Sequence, residues 1–385
     1  MSGVHRLTGA VRPYAWGSRT IIAELQGRPA PSQAPEAELW LGAHPGDPST
    51  VSGHDGPVSL ATLIEEDPKG QLGPPVVDTY GPRLPYLMKL LAAEAPLSLQ
   101  AHPDAAYARK AFAAQEADPS LPRNYTDAYH KPEMLVAITP FDALCGFRAP
   151  DVSASELAAL DLPALAPVIA ALRAGVSGLS EAVRLLLTWP ADDRAALVES
   201  AAARSSGLVP SLASHYPGDP GVLVALLLNH VRLAPGEAIW MPAGNMHAYL
   251  RGAGVEIMAA SDNVLRGGLT PKRVDVDELL RVLRFEVLED PIFPATDVAP
   301  GVVTWQVPAG EFVLYRVELG PGRPPVTLEA TGPRIALGVE GETFVAGPHG
   351  TPTELTPATA AYAPAETGPL TLAGAGTVFV AAVPS

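Results

Sequence analysis

Three short stretches carry side chains able to bind a metal ion or move a proton. The first is Gln100-x-His102. Spacing of i, i+2 along a strand puts both groups on one face, the geometry that two adjacent ligands need, although many such pairs only hydrogen-bond. The second is His130-Lys131-Pro132-Glu133, which runs into the apolar segment Met134–Ile138. A carboxylate at the mouth of a strand serves as ligand, base or turn residue. The third is Gly236-x5-Pro242-x-Gly244-x2-His247. Pro235-Gly236 predicts a turn, Ala238–Met241 a strand, and Pro242-Ala-Gly244 a second turn that leaves His247 at the start of another strand. Its plain alternative is a hairpin with a surface histidine.

The elements around these stretches are short. Tyr86–Leu91 and Leu97–Ala101 read as apolar segments, and in the second Ser98, Gln100 and His102 share one face while Leu97, Leu99 and Ala101 share the other. From about Asp151 to Asn229 the texture turns Ala/Leu-rich, with helix starts at Ser153-Ala-Ser-Glu, Ser180-Glu and Ala191-Asp-Asp-Arg. No polar constellation stands out there. Strand texture returns at His230–Leu233 and Val255–Met258, and a polar helix is expected over Asp275–Arg284. Beyond about Pro300 the segments Phe312–Leu319, Arg334–Val339 and Thr377–Val383 read as strands. The expected fold is mainly β with an inserted α-helical domain. Residues 1–150 and 230–300 would form the site-bearing domain, 151–229 the helical insert, and 301–385 a second, jelly-roll-like β domain.

Composition narrows the class of function. Thirty-five glycines and 42 prolines make up a fifth of the 385 residues without a Gly-X-Y period, and 47% hydrophobic content excludes a disordered chain. A net charge of −15 and the absence of any Lys/Arg run argue against nucleic acid and anionic membranes as partners. The single cysteine, Cys145, permits no intrachain disulfide and reads as a small buried residue in a reducing compartment. The N-terminus has no apolar h-region, and the longest uncharged apolar run, Val222–Leu228, falls far short of the roughly 20 residues that span a bilayer. A cytoplasmic protein is expected.

The element ending at His247 resembles the second half-motif of the cupin superfamily, with Arg251 where an Asn is often found. Taken with PYAWG (Pro13–Gly17), PYLMKLL…SLQAHPD, NYTDAYHKPEM and SDNVLRGGLTPKRVD (Ser261–Asp275), the order and spacing resemble the type I phosphomannose isomerases. Tyr129 stands before His130 where that family often has Asn. The resemblance implies a cupin metal-binding barrel and a zinc-dependent aldose–ketose isomerase that interconverts mannose 6-phosphate and fructose 6-phosphate through an enediol(ate).

Carried over motif by motif, the resemblance implies one zinc per chain on Gln100, His102, Glu133 and His247. Two imidazoles, one carboxylate and one amide oxygen suit a borderline divalent cation and leave a net positive site. Lys131 becomes the candidate proton carrier and His130 a candidate for opening the pyranose ring. Arg266 would hold the phosphate or the developing enediolate, because its planar fork stays charged. Lys89, Ser98 and Lys272 are candidate phosphate or hydroxyl contacts; only five lysines occur in the chain, which draws attention to each. His44, His54, His215 and His349 read as solvated loop residues, and Trp16, Trp40 and Trp240 as core or as the wall of a sugar site. The partner is a phosphorylated hexose, and a monomer is expected, with an oligomer left open. Two other classes stand beside the isomerase. A metal-binding sugar sensor would lack the reactive groups beside the metal. A cupin oxygenase would present a His-rich iron site, where this chain offers Gln100.

Overall fold

Strands from both ends of the chain and from its middle assemble into two antiparallel sheets of eleven strands each in the computed structural model, which describes residues 3–53 and 56–384. His54 lies outside the described residues.

The first sheet runs in the order Ile292–Phe293, Ala238–Met241, Glu133–Ala137, His247–Ala259, Tyr86–Ala93, Glu38–Leu41, Ala10–Arg12. Its long strand, His247–Ala259, has two sets of partners. Gly252–Ala259 pairs with Tyr86–Ala93, and Gly254–Met258 with Glu133–Ala137. His247–Arg251 instead pairs with Phe141–Phe147, and His247 faces Gln100. The change of partners falls at a bulge between Tyr249 and Arg251, next to Gly252. Gly252 has φ +124°, and a Cβ there would lie 2.6 Å from the Pro140 carbonyl oxygen. Only glycine lets the strand turn this corner. Leu228–Leu233 and Leu265–Arg266 extend the ladder on Phe141–Phe147 and Gln100–Ala101.

The second sheet gathers the C-terminal strands, with Arg334–Ala346 and Leu370–Ala382 paired along their length. Its far side is closed by the N-terminal strand His5–Thr8, which pairs with Ala360–Ala363, and then by Thr50–Gly53 and Gly56–Ser59. Residues 1–150 therefore contribute to both sheets. One apolar core joins them, with Met88, Leu90, Val255 and Ile257 from the first and Leu337, Tyr362 and Phe379 from the second.

Between the strands Phe141–Phe147 and Leu228–Leu233 the chain is helical. In Leu179–Leu187 the buried residues are Leu179, Ala182, Val183, Leu186 and Leu187, the i, i+3, i+4, i+7, i+8 stripe of a one-sided helix. That stripe packs in a core shared with Leu99, Leu144, Phe147, Met246 and Ala248 beneath the first sheet. The first of these helices begins at Pro150 rather than at Ser153. Proline suits the first helical position because the N–H it lacks would have no helical acceptor. Ser153 is buried, and its hydroxyl donates to the Leu226 carbonyl at 3.0 Å. Among the described residues no helix is long and apolar enough to cross a membrane.

Candidate metal centre and catalytic cleft

The register of the first sheet brings three separated motifs into one row. His247 stands opposite Gln100, and Gln100 stands opposite Arg266 on its other side. Directly opposed residues of antiparallel strands point to the same face, so the three side chains lie abreast. Glu133 opens its own strand in register with Met258 and Met241. The strand expected over Leu97–Ala101 is regular only at Gln100–Ala101. Leu97 and Leu99 still donate backbone N–H groups to the carbonyls of Tyr249 and Gly268, so the alternation of faces survives.

His102, Glu133 and His247 place one ligand atom each within 4.8 Å of one another, and all three side chains are buried. Glu133 Oε2 lies 3.2 Å from both His102 Nε2 and His247 Nε2. Neither Nε2 has a hydrogen-bond partner among the described residues. His102 Nδ1 is 2.7 Å from the Asn263 carbonyl and His247 Nδ1 is 3.2 Å from the Asn245 carbonyl. A carbonyl only accepts, so each Nδ1 carries the proton and each Nε2 keeps its lone pair. Burial, opposed by Glu133, lowers the pKa of His102 and keeps its ring neutral. Burial also works against the Glu133 carboxylate, yet Lys131 holds it well below the usual range. Three lone pairs converging in a buried space call for a cation, and this donor set fits a divalent metal.

Above this cluster lies a cleft of about 1040 Å³ lined by Gln100, Lys131, Glu133, Ser98, Arg266 and Lys272, among others. Lys131 Nζ sits 2.8 Å from Glu133 Oε1, the oxygen opposite to the one facing the imidazoles. Arg266 is half-buried, and desolvation lowers the pKa of its guanidinium with no carboxylate to counter it. Ser98 is half-buried on the wall, and Lys272 is exposed at the rim.

Two candidates are paired with carboxylates. Lys89 lines the cleft, but it is buried with Nζ 2.9 Å from Glu256 Oε2 and 3.4 Å from Glu38 Oε1. Burial opposes its charge, and Glu256, Glu38 and Glu133 overcome that and raise its pKa. His130 turns away from the cleft, with Nε2 2.6 Å from Glu311 Oε1, because neighbouring side chains in extended backbone point oppositely.

Other residues went unnoticed in the sequence. Glu38 accepts the Trp40 indole N–H at 2.7 Å, and Glu256 accepts the Tyr249 hydroxyl at 2.7 Å. Each is a single acid in an apolar strand, a signal that stands out only beside Lys89, which faces Glu256 across the ladder. The two buried lysines meet three buried glutamates, so a divalent cation would turn the formal charge of the set from −1 to +1. His44 is a correction: it is buried, edge-on to Trp40, with Nε2 3.3 Å from Asp262 Oδ2. His215 is exposed as expected, yet with Tyr216 it lines the cleft, so the helical stretch does supply part of the wall. His349 is exposed. Trp16 and Trp40 line the cleft, while Trp240 packs against Phe312. Cys145 is a buried free thiol whose pKa burial pushes up to about 12.

The family model for the catalytic domain of type I phosphomannose isomerase matches residues 4–150. The mannose-6-phosphate isomerase of Escherichia coli (strain K12) is 36% identical over 389 residues, covering 97% of this chain and 98% of that protein. The mannose-6-phosphate isomerase of Homo sapiens is 33% identical, with 82% of each chain covered. The crystal structure of a zinc-bound, holo mannose 6-phosphate isomerase superposes with a TM-score of 0.91 at 33% identity, covering 99% of this chain and 100% of that one. Similarity that runs the length of the chain, in sequence and in backbone, makes this protein a member of the type I phosphomannose isomerase family.

Proposed function

We propose that the chain interconverts D-mannose 6-phosphate and D-fructose 6-phosphate by proton transfer between C1 and C2 through an enediol(ate), with one zinc held by Gln100, His102, Glu133 and His247. The observation that carries this reading is the pair of buried imidazole Nε2 atoms without hydrogen-bond partners, both facing one carboxylate oxygen beneath the cleft. When bound, zinc would polarise the sugar oxygens at C1 and C2 and stabilise negative charge on them.

The chain's own residues divide the remaining work. Lys131, nearly dry and ion-paired with the outer oxygen of Glu133, carries the proton in this reading. Arg266 adds a fixed positive fork beside the same row of residues, where charge develops during the reaction. Lys272 and Ser98 are the groups left for the phosphate and hydroxyls. Lys89 is engaged by two carboxylates and shapes the cleft floor instead. His130, turned to Glu311, has no part in this scheme. A sugar sensor without turnover would need no such reactive groups beside the metal.

The same reading takes the first sheet as a cupin-type barrel, the stretch 151–229 as a helical insert, and 301–385 as a jelly-roll-like domain that recruits the N-terminal strands. The same reading takes the protein as a monomer. A coupled assay from mannose 6-phosphate to fructose 6-phosphate tests the function. Turnover should vanish with a chelator and return with zinc; full turnover after complete metal removal, or none in the zinc-loaded protein, would overturn it.

A further inference from the structure

One buried residue, Asn263, touches both His102 and the loop that leads into Glu133. Asn263 lies 161 residues from His102 and 136 from Asp127 in sequence, and its side chain is sealed from solvent. Its Nδ2 donates to the carbonyls of Asp127 and Tyr129, both at 2.8 Å, and to Asp127 Oδ1 at 3.1 Å. Its Oδ1 accepts from the Thr126 N–H at 2.8 Å, the Thr126 hydroxyl at 3.3 Å and the Asp127 N–H at 3.3 Å. Its own main-chain carbonyl accepts from His102 Nδ1 at 2.7 Å. Asp127 returns the grip: its carboxylate accepts from the Ser261 hydroxyl at 2.8 Å and the Asp262 N–H at 3.0 Å.

We propose that Asn263 is a positioning residue for the metal centre, fixing His102 and Glu133 relative to each other so that its side chain sets metal affinity. Tyr129, gripped by the amide, stands two residues before Lys131 and four before Glu133. The backbone carbonyl of Asn263 aims the His102 ring. Two residues further on, Leu265–Arg266 joins the ladder beside Gln100. Only an amide meets this environment, with donors at one end for two carbonyls and a carboxylate and an acceptor at the other for backbone N–H groups. An aspartate would set a carboxylate against three oxygens. The proposal rests on His102, Glu133 and His247 being the metal ligands.

The test measures zinc affinity of the intact chain by competition with a chromophoric chelator, alongside thermal unfolding of the metal-free protein. Asn263→Asp should bind zinc about 10- to 100-fold more weakly, the usual effect of losing a group that orients a ligand. Asp127→Asn, a milder loss in case the first variant does not fold, should weaken binding in the same direction by less. Glu278→Gln is the comparison: Glu278 braces the same segment by accepting from the hydroxyls of Tyr107 (2.9 Å) and Tyr125 (2.6 Å), without touching Asn263. It should lower the unfolding temperature and leave zinc affinity unchanged. Wild-type affinity in folded Asn263→Asp and Asp127→Asn, or equal weakening in Glu278→Gln, would overturn the proposal. A wild-type chain that takes up no zinc, or a His247→Ala variant that keeps it, would overturn the metal-site reading itself.

Discussion

The two sheets share strand number, antiparallel pairing and an apolar core, and they differ in what ionisable groups they bury. Along the first, Glu38, Lys89, His102, Lys131, Glu133, His247 and Glu256 are all buried, each in contact with at least one other group of the site. Among the strands of the second, Arg334 is the buried charge. It has no carboxylate partner and donates to the carbonyls of Ala330, Pro364 and Gly368. Taking an ion out of water costs several kcal/mol, and an interlocked set offsets that only when every member keeps a partner. The second sheet uses one buried charge to tie loops. The first sustains seven buried glutamate, lysine and histidine side chains, a concentration that packing alone gives no reason to keep. Chemistry therefore resides in the side chains of one sheet and not in an architecture that both possess.

The contrast breaks if removing a group from the first sheet leaves turnover intact. His247→Ala should lose zinc in elemental analysis and reduce turnover by more than about 100-fold, with the fold retained because the apolar cores do not depend on the ion. Full zinc occupancy in that variant would remove His247 from the ligand set.

Arg266→Lys sharpens the reading of the row abreast of the metal. It keeps the charge and loses the fork, so kcat should fall by ~100-fold with KM little changed if the arginine stabilises charge that appears only in the transition state. A rise in KM larger than the fall in kcat would reassign it to the phosphate, and wild-type values for both would take it out of the site.

In the second sheet the reverse is expected. Leu372 is fully buried in a cluster made with Val302, Val317, Val345 and Val380. Leu372→Ala should cost about 2–5 kcal/mol of stability in denaturant unfolding, while kcat/KM per folded molecule stays at the wild-type value. A comparable loss of kcat/KM would mean that the two sheets are coupled through their shared core.

The smallest effect belongs to the helical stretch. Glu181 is exposed and pairs with Arg184 three residues on, with its Oε2 2.7 Å from Nε. Glu181→Ala should leave kcat/KM unchanged and the unfolding temperature near the wild-type value. A hundredfold loss of activity would show that this helix, and not only the His215–Tyr216 end of the stretch, belongs to the site.

Much of this was legible in the residues. Ala238–Met241 is the strand its flanking turns predict, and the helix over Asp275–Arg284 appears as Val276–Val282, capped by the Asp275 carboxylate. Gly252-Ala-Gly254 is the corner where the long strand exchanges partners. That role depends on which backbone passes within 3 Å, and no local pattern reports it. His44 misled for the same reason. Its Gly/Pro-rich surroundings announce a turn, and they say nothing about Trp40 covering it.

The sequence alone determined the elements and the donors. Periodicity marks strand from helix because side chains repeat every two or every 3.6 residues. The donors lie in three motifs whose family resemblance implies a metal, and two imidazoles with a carboxylate suit one. Tertiary structure alone decided which of the remaining polar groups matter. Glu38, Glu256 and Asn263 each gain a partner across strands or loops more than 50 residues away. Register sets those meetings, since a shift of one residue would send every side chain of a strand to the opposite face.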